Sequence, residues 1–185
     1  MHAQYLIIGQ GIAGTLLSYA LWKEGRSFLV MDDPERMHKA STVAGAVINP
    51  VNVNRWTMTA GHRHYIPAAL EMYGSMEETL GIALTEAMPM LVFHKDEINR
   101  QLYHKQQLLF PAHMQQPTNA EITITRPFFM NHYGIGKVHP VWKIRGTPLL
   151  SAWSFFLKSR GLLVQEHFNI AECRISEQGI QYKTG

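Results

Sequence analysis

Apolar residues fall along this chain in runs of two kinds. Tyr5-Leu6-Ile7-Ile8 is continuous and too short for a buried helix. Leu16, Leu17, Ala20 and Leu21 follow at helical spacing, closed by Gly25, and Phe28-Leu29-Val30-Met31 is a second continuous run. The order predicts strand, turn, helix, strand. Residues 62–80 carry Ile66, Leu70, Tyr73, Met76 and Leu80 at helical spacing, with Pro67 and Gly74 predicting a late start or a kink. Residues 88–93 predict a strand. Residues 95–109 predict a helix with Ile98, Leu102 and Leu109 inward, and 121–125 and 136–145 predict strands, the second with Val138, Trp142 and Ile144 on one face. Thr147-Pro148 opens a further helix, threonine as the N-cap and proline in the first helical position. Its apolar face is Leu149, Leu150, Trp153, Phe156 and Leu157, and Gly161 ends it. Strands are expected at 162–164, 170–175 and 180–182, which returns the chain to the parallel order broken after Asp33.

The turn between the first strand and helix reads Gly9-x-Gly11-x-x-Gly14. Each glycine meets a different demand. Gly9 lets the chain turn sharply, Gly11 leaves the backbone open to a pyrophosphate, and Gly14 lets the helix pack closely on the sheet. The helix start at Ile12 and Ala13 offers N–H groups and partial positive charge to phosphate. Asp32, followed by Asp33, ends the second strand, where a carboxylate accepts hydrogen bonds from the hydroxyls of an adenine-linked ribose and repels a 2′-phosphate. The competing reading is a glycine turn that merely packs a βαβ unit. Strand, helix and acid at these offsets favour an adenine dinucleotide.

Composition narrows the class. The 185 residues are 46% hydrophobic and 17% charged, ordinary for a globular protein and enough for a sizeable core. A formal net charge of +3 is spread as separated pairs (Lys23/Arg26, Arg36/Lys39, Lys158/Arg160), so nucleic-acid binding gains no support. One cysteine, Cys173, excludes an internal disulfide framework and any cysteine-based cluster built by this chain alone. In a strand of apolar character it reads as a buried thiol. No run approaches the ~18 apolar residues of a membrane span, and no signal peptide is legible, so the reading is cytoplasmic. His62-Arg63-His64 lacks a third ligand at metal spacing, and no metal site is expected. Met72, Met76, Met88 and Met90 read as core more readily than as a plastic pocket, and Trp56, Trp142 and Trp153 as packing anchors.

After Asp33 a third parallel strand would mark an NAD-dependent dehydrogenase. Instead the chain runs Ala40-Ser41-Thr42-Val43-Ala44-Gly45-Ala46-Val47-Ile48-Asn49-Pro50, rich in small residues. With Gly9 to Gly14 and Asp32, this segment resembles the N-terminal half of the D-amino-acid oxidase-like family of FAD-dependent oxidoreductases, whose members include glycine oxidase, sarcosine oxidase and the oxidoreductase domain of a tRNA-modifying enzyme. The family usually has glutamate at the position of Asp32. The resemblance implies FAD as cofactor, with Lys39, Ala40 and Ser41 beside phosphates and ribityl, and Ala44, Gly45 and Val47 beside the flavin ring. It also implies a branched apolar contact to adenine at Ile170.

The expected fold class is therefore α/β: a Rossmann-like FAD-binding domain with its βαβ unit and G-x-G-x-x-G (residues 1–55 and 143–185), interrupted by an α+β substrate domain with a mainly antiparallel sheet (56–142). The resemblance implies oxidation of the C–N bond of an amino acid or secondary amine by hydride transfer to flavin. The alternative is a non-catalytic or truncated dinucleotide-binding module, because the family continues for a further half, and catalytic groups are expected beyond Gly185; a lesser alternative is the oxidoreductase domain of a tRNA-modifying enzyme. Substrate, electron acceptor and oligomeric state are not readable from these residues.

Overall fold

The structure, a computed structural model, describes residues 2–35, 40–130, 132–176 and 179–182. In chain order the elements are β1 (Tyr5–Ile8), α1 (Ile12–Lys23), β2 (Phe28–Asp32), α2 (Ala40–Val43), β3 (Val47–Ile48), β4 (Val51–Asn52), β5 (Thr57–Met58) and α3 (His62–Leu80). There follow β6 (Thr85–Phe93), α4 (Glu97–Leu109), β7 (Met114–Gln115), α5 (Asn119–Thr125), β8 (Ile135–Ile144), α6 (Gly146–Ser159), β9 (Leu163–Gln165), a 3-10 turn (Ile170–Glu172), β10 (Cys173–Ser176) and β11 (Gly179–Tyr182). The chain divides into two compact units, Met1–Ala44 with Gly146–Gly185, and Gly45–Arg145.

The first unit is built on a parallel sheet in the order β1-β2-β9, so the strand beside β2 comes from late in the sequence. Val30 at the centre of β2 lies between Ile7 and Leu163 and is fully buried. Helices α1 and α6 pack on these strands and on each other through Tyr19, Leu149, Trp153 and Leu157, all buried. Each such side chain stabilises the fold by roughly 1.5–3 kcal/mol through burial. The indole of Trp153 meets Tyr19 edge-on at 5.4 Å, and its N–H donates to Ser18 Oγ at 2.8 Å, so the buried hydroxyl is satisfied. Strands β10 and β11 form a separate antiparallel hairpin.

Three expectations in this unit are corrected. Helix α6 begins at Gly146, so Thr147 is not its N-cap; Pro148 still lies in the first turn, where a missing N–H costs no helical bond. Residues 170–175 do not form one strand. Asn169 Oδ1 accepts from Ala171 N at 3.0 Å and winds a 3-10 turn before β10 starts at Cys173. Cys173 is half-buried, not buried, because its hairpin pairs with β11 alone.

The second unit is an antiparallel sheet, order β3-β8-β6, with β7 also paired to β8. Its core is Val51, Trp56, Tyr103, Met114, Val138 and Val141. Among the tryptophans, Trp56 joins Trp153 in being fully buried, while Trp142 is half-buried. Met76 is fully buried and Met88 is exposed. Gly136 on β8 makes room for the aromatic pair, since a Cβ there would stand 2.8 Å from the Tyr103 ring and 2.9 Å from the Trp56 ring.

Here the helices depart most from the pattern. Residues 121–125, expected as a strand, belong to α5. Thr118 caps it with a reciprocal box: Glu121 N donates to Thr118 Oγ1 at 3.2 Å and Thr118 N to Glu121 Oε2 at 2.7 Å. Helix α3 starts at His62, ahead of Pro67, and runs through the proline without interruption. Helix α4 starts at Glu97 on an Asp96 cap, whose Oδ1 accepts from Asn99 N at 2.7 Å. That cap sets the helix phase so that Asn99 and Tyr103 face inward, with Ile98 77% and Leu109 62% exposed.

Candidate functional site

The C-terminal ends of β1, β2 and β9 open onto a cleft of about 290 Å³ lined by Ile8, Gly9, Met31, Asp32, Asp33, Glu166, His167 and Phe168. Such a cleft at the carboxyl ends of parallel strands is where open α/β sheets take ligands. It is built mainly by backbone geometry. Gly9 holds φ +95°, a left-handed conformation natural only to glycine, while its N–H donates to Met31 O at 2.7 Å. The next amide, Gln10 N, donates to Asp32 Oδ1 at 3.0 Å and so fixes the carboxylate at the mouth of the turn.

Helix α1 then leaves directly from Gly11, which as N-cap has no side chain to satisfy the first N–H groups. Ser41 does so from α2: its Oγ accepts from Ile12 N at 3.0 Å. A Cβ on Gly11 would stand 3.0 Å from that oxygen, so Gly11 and Ser41 are in close approach. At Gly14 any Cβ would run into the Gly9 carbonyl, which sets how near α1 lies to the end of β1. Gln10 anchors the turn from beneath. Its buried amide donates to Thr15 Oγ1 at 3.3 Å and to Leu150 O at 3.0 Å.

The residues expected at a cofactor thus divide. Gly9, Asp32 and Asp33 line the cleft. Gly11, Ile12, Ala13 and Gly14 form the turn and the start of α1, with Ser41 against them. Ala40 opens α2 and is exposed, and Ala44 N donates back to Ala40 O at 3.0 Å. In the other unit Gly45 is exposed and Val47, 48% exposed, pairs with Lys143 on β8. Ile170 is 66% exposed and outside the cleft lining. Lys39 lies outside the described residues.

Five lining residues lie outside the sequence expectation for the site: Ile8 and Met31, read as strand positions, and Glu166, His167 and Phe168. Gln10, which holds Asp32 from just outside the lining, occupies a variable place in the glycine pattern. Glu166, His167 and Phe168 directly follow β9, and the rule that ligands sit beyond the ends of parallel strands would have found them. His167 Nδ1 lies 3.0 Å from Asp33 Oδ2, bridging two walls of the cleft, and Glu166 N donates to Asp32 O at 3.1 Å.

The second unit holds its own buried polar group. Asn99 Oδ1 accepts from Trp56 Nε1 at 3.0 Å and lies 3.3 Å from His94 Nδ1. Burial pushes the His94 imidazole below its ordinary value of 6.5, opposed by the Asn99 hydrogen bond and helped by His104 and Arg100. Among the described residues no group of three His, Cys, Asp or Glu side chains converges as a metal site, and no helix is long and apolar enough to cross a membrane.

No protein-family model and no curated protein matches the sequence. Solved structures do match its fold. Glycine oxidase from Geobacillus kaustophilus superposes with TM-score 0.70 at 13% identity, over 96% of this chain and 50% of that one. Iminodiacetate oxidase from Chelativorans sp. BNC1 gives 0.64 at 18% identity, over 96% and 50%. L-Proline dehydrogenase from P. horikoshii gives 0.63 at 16% identity, over 97% and 50%. At these identities the likeness is one of fold, and the chain spans about half the length of each of these proteins.

Proposed function

We propose that the first unit binds FAD, its adenosine end in the cleft beyond β1, β2 and β9, within an oxidoreductase that oxidises the C–N bond of an amino acid or secondary amine. The observation that carries the reading is the Gly9–Asp32 arrangement: a left-handed glycine turn and a carboxylate held by Gln10 N, beside the N-terminus of α1. The residues present fit such a group. The cleft is near the lower end of small-ligand sites, about 300 Å³ and upward, and Gly11, with no side chain of its own, leaves, among the described residues, only the Ser41 hydroxyl beside the turn where a diphosphate would lie. Asp32 would accept from ribose hydroxyls, and the N–H groups opening α1 would receive phosphate oxygens. Asp32, Asp33 and Glu166 together place three carboxylates at the cleft, which disfavours a 2′-phosphate. Assignment of Ala40, Ala44, Gly45, Val47 and Lys39 to the remainder of the cofactor rests on the family resemblance.

The bound flavin would supply the hydride acceptor, with this chain contributing binding and orientation. An amine or amino-acid substrate is supported by the named activities of fold relatives, glycine oxidase, iminodiacetate oxidase and L-proline dehydrogenase. The purified chain is expected to take up FAD, turn yellow and lose its absorbance anaerobically when an amino acid is added. A protein that stays colourless with added FAD would overturn the reading. A chain that takes up FAD but is bleached by no amine favours the second reading, a dinucleotide-binding module without catalysis.

A further inference from the structure

The wall of the cleft formed by residues 166–169 is a short segment after an edge strand, and half of its length is exposed. Glu166 N and His167 tie its start to Asp32 and Asp33, and a side chain from the hairpin that follows spans its whole length. Tyr182, at the end of β11, places its hydroxyl 3.3 Å from Glu166 Oε1 and 3.2 Å from His167 O, and accepts from Asn169 N at 3.2 Å. The one hydroxyl proton can serve either oxygen, and the lone pairs take the amide, so the group's donor and acceptor capacity is engaged on this one segment. The ring repeats the pattern: it stacks on Phe168 at 5.3 Å with the planes 21° apart. All four residues from Glu166 to Asn169 therefore touch Tyr182, and three of them line the cleft.

We propose that Tyr182 is the positioning residue of the adenosine end of the cofactor site, fixing Glu166 toward the ribose side and presenting the Phe168 ring to the base. The inference rests on the FAD reading above. Tyr182 is not in the cleft lining, so its influence passes through the segment it holds. Without the hydroxyl, Asn169 N–H loses the Tyr182 acceptor and Glu166 Oε1 the Tyr182 donor, so the far part of the segment is held less firmly and the ligand must order more of it on binding, which weakens binding without removing any direct contact.

The test uses the 185-residue chain with FAD, read by flavin fluorescence, and with ADP, which carries the adenosine end alone. Tyr182→Phe keeps the stack and removes the hydroxyl. Its affinity for both ligands is expected to fall roughly tenfold, the size of one to two lost hydrogen bonds, while the melting midpoint without ligand stays within about 2 °C of the parent. In a Glu166→Gln background the same substitution is expected to cost less, because part of its effect runs through that carboxylate. Unchanged affinity for FAD and ADP in Tyr182→Phe overturns the proposal and leaves the FAD reading standing. A lowered midpoint that accounts for the lost affinity reduces Tyr182 to a packing residue and also overturns it. If the parent chain binds neither FAD nor ADP, the FAD reading itself fails, and this inference with it.

Discussion

The two units bring polar groups to their centres in opposite ways. In the unit built on β1, β2 and β9, the turn beside the cleft is shaped by glycine backbone, and the key carboxylate, Asp32, is tied to an amide of that same turn. In the unit built on β6 and β8, the buried polar group is a side chain, Asn99, reached by the indole of Trp56 and the imidazole of His94 from other elements. The first design fails when an atom is added where backbone meets backbone, at Gly14. The second fails when a hydrogen-bonding atom is taken away. A turn defined by sterics offers an open surface to a ligand, whereas a satisfied interior network rigidifies its unit and offers nothing outward.

The sharpest way to break that contrast is Gly14→Ala. The added Cβ meets backbone, the Gly9 carbonyl, which cannot rotate aside, so α1 must lift from β1. A loss of roughly 3 kcal/mol is expected, at the upper end for overpacking, read as a fall in the urea midpoint. Gly11→Ala meets only the Ser41 hydroxyl, which can turn, and is expected to cost about 1 kcal/mol or less. Equal losses at the two positions would show that sterics does not distinguish them and would remove the basis for assigning Gly14 to packing.

In the second unit the corresponding change is Asn99→Leu. It keeps the branched shape of the side chain beside the aromatic pair and leaves the Trp56 N–H buried without its acceptor. A cost of about 2 kcal/mol is expected from the unsatisfied donor, with a changed emission from Trp56, whose ring lies 4.7 Å from Tyr103. A neutral outcome would mean that this interior tolerates subtraction as well, and the contrast between the units would be lost.

The same contrast explains what was legible in the sequence. Strand, turn, helix and strand from Tyr5 to Asp32 are legible because glycine spacing and apolar runs act within a few residues of one another. The wall at Glu166 to Phe168 carries no motif of its own; it is legible only indirectly, as the segment just past the strand expected at 162–164, because β9 reaches β2 from the far end of the chain. In α4 the apolar periodicity holds at Leu102, which packs on the core, but points Ile98 and Leu109 to the wrong face. The Asp96 cap and the Asn99 hydrogen bond outweigh two exposed aliphatic side chains. In α5 the local signal was present: Thr118-x-x-Glu121 is a capping box, and the alternation Ile122-Thr123-Ile124-Thr125 that imitates a strand finds no strand to pair with among the described residues.

The smallest expected effect lies at Glu121. Besides closing the box, its Oε1 is 2.7 Å from Lys137 Nζ on β8, so one carboxylate joins α5 to the sheet. The Lys137 ammonium, followed by the Thr118 amide and hydroxyl, holds this carboxyl well below its ordinary 4.5, at about 2. A group whose folded value is depressed contributes stability above its unfolded value and loses it as pH falls through the folded one. The contribution is therefore complete above 4.5 and is lost between 4.5 and about 2. Glu121→Gln retains an acceptor for the cap and removes the charge, so the variant's urea midpoint should fall less steeply than the parent's across that window and converge with it at the acid end. Parallel slopes would mean that the ion pair is screened by solvent and that the capping hydrogen bonds alone hold α5, making the second unit's surface electrostatically indifferent where its interior is not.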